Sequence, residues 1–212
     1  MIWVVSAVTV LQLFDMETDD GGFVAEGNSG QWVYGEAVTG PAGRSAWATQ
    51  LGGPYYSEAF DVLKVPMPDM VGVEKPQIQI KHWFDIVSGD VARFEARDLS
   101  SSWTPVDPVY GYDSIGGFSG RSGGWVTHVV DLSAFDSDVE FRFVFQSDAG
   151  GAADGWYVGS VTVFDGDVAP PKIDPLVIPQ NNQNWNAPYR VDAEISDDTG
   201  VVNAVLEGRV GD

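Results

Sequence analysis

The sequence predicts an all-β fold in which two antiparallel sheets pack face to face. Three observations carry that prediction. Apolar and polar residues alternate at period two in several runs, and glycine or proline clusters separate those runs. No stretch of useful length shows the 3.6-residue period of an amphipathic helix. The 25 Gly and 12 Pro supply turns, while eight Trp and 12% aromatic residues supply bulk for a sizeable core.

Taken in chain order, the expected strands are Val4–Leu13, Gly30–Tyr34, Ser45–Thr49, Gln77–Ile86, Ala92–Asp98, Trp125–Asp131, Val139–Gln146 and Trp156–Phe164. The run Gln77–Ile86 sends Ile78, Ile80, His82 and Phe84 to one face and Gln77, Gln79, Lys81 and Trp83 to the other. Val139, Phe141, Phe143 and Phe145 likewise oppose Glu140, Arg142 and Val144. Such alternation marks strands with one face buried. Turn signals fall between them at residues 20–22, 39–41, 52–54, 88–90, 123–124 and 150–151.

The first apolar run, Ile2–Phe14, precedes every Lys and Arg of the chain, so it lacks the basic start of a signal peptide. It is also too short to span a bilayer, and its Val, Thr and Ile read as a strand. Residues 1–167 are therefore expected to form one sandwich. A Pro-rich linker follows at 168–172, where Pro170 and Pro171 cannot donate ladder hydrogen bonds. In residues 173–212, Tyr189–Ile195 and Val201–Val210 read as a hairpin. Two or three strands do not close a sandwich. This segment is expected to be the start of a second β domain in a longer protein.

The chain carries 31 acidic and 11 basic residues, a net charge of −20. That field repels phosphate backbones and anionic lipid, which argues against binding nucleic acid or a membrane surface, and no membrane insertion is expected. It favours cations, and oxygen ligands suit Ca²⁺. Cysteine is absent, which excludes disulfides, thiolate metal sites and Cys nucleophiles.

Catalytic patterns are thin. Residues 120–124 spell G-x-S-x-G around Ser122, but the glycine-rich flanks do not provide the strand and helix of a nucleophile elbow. His82 lies near Asp85 on one strand, where adjacent positions face opposite sides, so a packed structural histidine is expected. Asp85, Asp90 and Glu95 form no recognisable pair for glycoside hydrolysis, and the nearest carboxylate run is Asp15 to Asp19. Aromatics in loop-like stretches, Tyr55, Tyr56, Tyr110 and Tyr112, are candidates for stacking on sugar rings, with loop anchoring as the competing role.

Several landmarks occur in a telling order: residues 14–23 (FDMETDDGGF), Trp47 to Leu51, Lys81 to Asp85, Trp125 through Phe135, Glu140 to Asp148, and Asp154 to Val158. Together they resemble MAM-like jelly rolls, specifically the C-terminal modules of immune-inhibitor-A-type secreted bacterial metallopeptidases, over roughly residues 10–165. Residues 189–201 are similar to the start of bacterial immunoglobulin-like or fibronectin-III-like repeats. The resemblance implies an antiparallel, concanavalin-like jelly-roll sandwich followed by an incomplete immunoglobulin-like domain.

It also implies a non-catalytic, extracellular accessory module of a multidomain bacterial protein. Its partners would be a protein or glycan at the cell exterior and neighbouring domains of the same polypeptide. The peptidase motif H-E-x-x-H has no counterpart, since the two histidines are His82 and His128. A structural Ca²⁺ is implied between the opening turn and the last strand. Asp15 and Glu17 match the opening side, and Asp148 and Asp154 are the carboxylates nearest to completing the set. Gly159 and Ser160 stand where the family pattern has two acidic residues. The alternative function is a carbohydrate-binding module that uses the loop tyrosines.

Overall fold

A computed structural model describes residues 8–29, 32–112, 114, 116–173 and 194–197. The chain divides into two units, Met1–Val168 and Ala169–Asp212. The described residues contain strands and turns but no helix.

In the first unit the strands are β1 (Thr9–Asp15), β2 (Val24–Gly27), β3 (Val33–Glu36), β4 (Ser45–Ala48), β5 (Phe60–Val65), β6 (Pro76–Ile86), β7 (Val91–Asp98), β8 (Thr104–Val106), β9 (Gly120–Arg121), β10 (Val126–Asp131), β11 (Val139–Gln146) and β12 (Gly155–Asp165). The larger sheet runs β10-β6-β12-β4-β3, with β1 also on β12 and β9 on β6; the smaller runs β2-β5-β11-β7-β8. Every pairing is antiparallel. The fold is an all-β sandwich of two antiparallel sheets.

Period-two patterning places the core. Ile78, Ile80, His82 and Phe84 of β6 are buried, as are Phe141, Phe143 and Phe145 of β11. Between them lie Trp156 of β12 and Phe94 of β7, whose rings are 5.8 Å apart, with Trp156 also 5.4 Å from Phe143. Fully burying side chains of this size contributes about 1.5–3 kcal/mol each, so this aromatic layer dominates the cohesion of the two sheets.

A β-bulge divides β12. The register with β6 shifts between Val158 and Ser160. Trp156 and Val158 belong to the central core before the bulge, and Val161 and Val163 after it. The extra residue, Gly159, thus changes which parity faces inward. Tyr157 consequently faces away from the core and nucleates a second cluster with Ala37, Ala46 and Ala48, flanked by Leu51, Trp83 and Trp125. The loop after β3 covers it, and Thr39 Oγ1 lies 3.1 Å from the Tyr157 hydroxyl.

Expected and observed strands agree where the alternation is regular. Val139–Gln146 is reproduced residue for residue, and Gln77–Ile86 gains only Pro76. The run expected from residue 4 begins at Thr9 among the described residues. Residues 30 and 31 of the next expected strand lie outside them.

Four strands of this unit were not expected: β2, β5, β8 and the two-residue β9. The interior strand β5 hides its pattern because Asp61 and Val62 are both buried, so alternation fails. Asp61 is tolerated there because the backbone N–H of Ser29 donates to it at 3.2 Å and the Ser29 hydroxyl also bonds it.

In the second unit, β13 (Lys172–Ile173) pairs antiparallel with β14 (Ile195–Ser196). The rest of the expected 189–210 hairpin lies outside the described residues.

Candidate functional site

The larger sheet carries a cavity of about 210 Å³ on its outer face. Its floor follows from the register. Asp15 on β1 lies opposite Ser160 on β12, and Ser160 lies opposite Lys81 on β6. A carboxylate, a hydroxyl and an ammonium therefore stand in one row across three strands. Leu13, Glu17, Arg44, Trp125 and Gly159 complete the lining.

Gly159 shapes the wall. A Cβ at this position would meet Trp125 ring carbons at 2.7 and 2.8 Å, so only glycine lets the indole lie down on the strand. Lys81 Nζ sits over the same ring, 5.9 Å from its centroid. Across the cavity, Arg44 Nε donates to Glu17 Oε1 at 2.8 Å, and the Ser45 backbone N–H donates to Glu17 Oε2 at 3.3 Å. Asp15 Oδ1 accepts from the Glu17 N–H at 3.1 Å, which closes the turn after β1.

This donor set does not suit calcium. Of the four expected ligands, only Asp15 and Glu17 come together. Arg44 already occupies the Glu17 carboxylate, and Lys81 adds a second positive charge to the same cavity. Asp154 precedes Gly155, which pairs with Asp85, five residues along β12 from the Asp15–Ser160 pair and hence about 16 Å away. Asp148 follows β11 of the opposite sheet, where its Oδ1 accepts from the Gly150 N–H at 2.6 Å.

A different carboxylate group, Asp98, Asp136 and Asp138, brings its oxygens within 4.8 Å of one another. Sequence reading missed it because Asp98 ends β7 while the others lie in the turn before β11. Asp98 Oδ1 accepts from the Asp136 N–H at 2.7 Å, so the cluster already stabilises that turn.

The tyrosine expectation requires correction. Tyr55 is 2% exposed, and its ring packs 4.8 Å from Phe145. Its hydroxyl donates to Asp90 Oδ2 at 2.5 Å and accepts from the Val87 N–H at 3.0 Å. Burial, with the Asp90 carboxylate, pushes its ionisation above the ordinary tyrosine value. Tyr112 is half-buried, accepting from the Phe94 N–H at 2.9 Å and donating to the Val106 carbonyl at 2.8 Å. Both hydroxyls are engaged within the fold, which makes these residues anchors. Of the four candidates, Tyr56 and Tyr110 are exposed, and neither lines the cavity.

The catalytic echoes are also structural. His82 is completely buried; its Nδ1 accepts from Trp156 Nε1 at 2.9 Å, and its Nε2 lies 2.7 Å from His128 Nδ1. Ser122 Oγ accepts from the Phe84 N–H and donates to the Phe84 carbonyl, bridging β6 just beyond β9. Glu95 is held by Arg93 and Arg142, and the Arg97 and Arg142 guanidiniums lie over the Trp103 ring at 4.5 and 4.0 Å. Trp103 is thus a packing residue.

No family model matches the chain. Over 156 residues, 71% of this chain, it is 27% identical to Bacillopeptidase F of Bacillus subtilis (strain 168). The match takes in 10% of that protein, so the chain spans about a tenth of the length of this curated relative. Among solved structures, it is similar to a carbohydrate-binding module of the β-sandwich superfamily at TM-score 0.34 and 15% identity, covering 71% of this chain and 58% of that one. It is also similar to a xylan-binding module at TM-score 0.32 and 12% identity, covering 70% and 100%.

Proposed function

We propose that this chain is a non-catalytic accessory module of an exported multidomain protein that also carries a peptidase. One observation bears most of this reading. The described side chains best suited to chemistry are already engaged within the fold: His82 by Trp156 and His128, Ser122 by Phe84, and Asp90 by Tyr55 and the Asp148 N–H. A reaction needs a nucleophile or acid–base pair converging on an accessible space, and the cavity offers carboxylates and cations without such a pair.

The match to a tenth of Bacillopeptidase F supports the same reading, because a peptidase by name shares with this chain a stretch far smaller than itself. The MAM-like jelly-roll landmarks and the immunoglobulin-like tail fit an extracellular protein built from successive β modules. Within it, the module would meet neighbouring domains and a protein or glycan outside the cell.

The purified 212-residue chain is expected to release no product from a denatured-protein substrate or from chromogenic glycosides. Turnover that co-purifies with the chain and vanishes in Asp15→Asn or Glu17→Gln would overturn the proposal.

A further inference from the structure

We infer that the cavity beside Trp125 binds one acidic hexose, a uronic-acid unit of a polysaccharide. Volume limits the ligand first. At about 210 Å³ the cavity is smaller than the roughly 300–1,000 Å³ of sites that enclose drug-sized molecules, so it takes a single ring.

The row of residues then fixes polarity. Adjacent strands lie about 4.8 Å apart, so the Asp15 and Lys81 backbones are separated by about 10 Å with Ser160 between them. The ligand must present an acceptor at one end and donors at the other.

Local charge identifies the acceptor, because at ~0.15 M salt the net field of −20 is screened over about 8 Å whereas a contact inside the cavity is not. Arg44 is neutralised by Glu17, whereas Lys81 makes no ion pair among the described residues and has only the Trp125 face, close to the outer limit of a cation–π contact. An ammonium so placed is best completed by a carboxylate. At the other end, Asp15 uses one oxygen on the Glu17 N–H, and its second oxygen is positioned to accept from a sugar hydroxyl. Ser160 serves the hydroxyls between them, and the indole of Trp125 offers an apolar wall to the C–H face of the ring.

A neutral hexose would leave Lys81 without a counter-charge. A free amino acid carries both charges on one carbon and does not span the row. The inference does not depend on the accessory-module reading, since binding is measured without turnover.

The test is calorimetric titration of the full chain with trimers of galacturonate and of glucuronate, beside a neutral galactose trimer. One of the acidic trimers is expected to bind at least tenfold more tightly than the neutral one. Lys81→Gln, at an exposed position, should erase that preference, and Trp125→Ala should abolish binding while Tyr110→Ala leaves it intact. Thermal unfolding establishes that each variant is folded. No heat from either acidic trimer at millimolar concentration, equal binding of the neutral trimer, or unchanged acidic preference in Lys81→Gln would each overturn the assignment.

Discussion

Trp156 Nε1 donates a hydrogen bond to His82 Nδ1 at 2.9 Å, and this contact fixes the tautomer of a wholly buried imidazole. Because Nδ1 accepts, the proton of neutral His82 resides on Nε2, which donates to His128 Nδ1 at 2.7 Å. The chain of donors runs from the central tryptophan outward to half-buried His128, and adding a proton anywhere along it sets two donors against each other. Burial first, and the neighbouring His128 second, hold His82 well below the ordinary histidine value.

Acid is therefore expected to weaken the fold before most carboxylates titrate. His82 takes up a proton more readily in the unfolded chain, so its contribution is complete above the unfolded value near 6.5 and declines as pH falls below it. Each proton so linked changes stability by about 1.4 kcal/mol per pH unit at most. Urea unfolding at pH 7.5 and 5.0 should show the lower stability at pH 5.0; equal midpoints would refute the buried-neutral assignment.

Trp156→Phe keeps most of the ring contacts but removes the donor to His82. Leaving a buried acceptor unpaired costs about 1–3 kcal/mol, in addition to the loss of indole volume. The denaturant midpoint should fall accordingly. A change below about 0.5 kcal/mol would mean that His82 had found another donor.

Gly159→Ala should be costly although the backbone there has no left-handed conformation to strain. The new methyl would lie 2.7 Å from the Trp125 ring, which must tip off the strand. Overpacking of this kind costs about 1–3 kcal/mol. The same substitution in a Trp125→Ala background should be nearly neutral, and the double-mutant cycle measures that coupling.

Tyr55→Phe and Tyr56→Ala separate the two adjacent tyrosines. The first strands Asp90 and the Val87 N–H without their hydroxyl partner, at about 1–3 kcal/mol. The second alters a side chain 56% exposed and should stay within about 0.5 kcal/mol. Thermal unfolding of both variants distinguishes them.

Millimolar Ca²⁺ is expected to leave the melting temperature where chelator leaves it. A site filled at 100 times its dissociation constant would add about 2.7 kcal/mol, a shift of several degrees. A shift of that size, lost in Asp15→Ala, would show that the Arg44–Glu17 pair opens to admit the ion.

Sequence alone determined the all-β class and the alternating faces of β6 and β11. Alternation in Gln77–Ile86 and Val139–Gln146 is a local property, because successive side chains of one strand must point to opposite faces whatever lies beside them. The reading of His82 as a packing residue came from the same local logic. It failed at β5, where buried Asp61 breaks the period and its compensating bond comes from Ser29 on a distant segment.

Tertiary structure alone decided which polar residues meet. Asp15, Lys81 and Ser160 share a row only because β1 and β6 flank β12 in one register, and a one-residue slip would turn any of them to the other face. The bulge at Gly159 sets that register locally and makes room for Trp125. Tyr55 and Tyr56, indistinguishable as loop aromatics, are separated by the same kind of fact: one finds Asp90 inside the sandwich, and the other remains at the surface. Period and composition report what each segment prefers by itself, whereas a site is a relation among segments that only pairing and packing create.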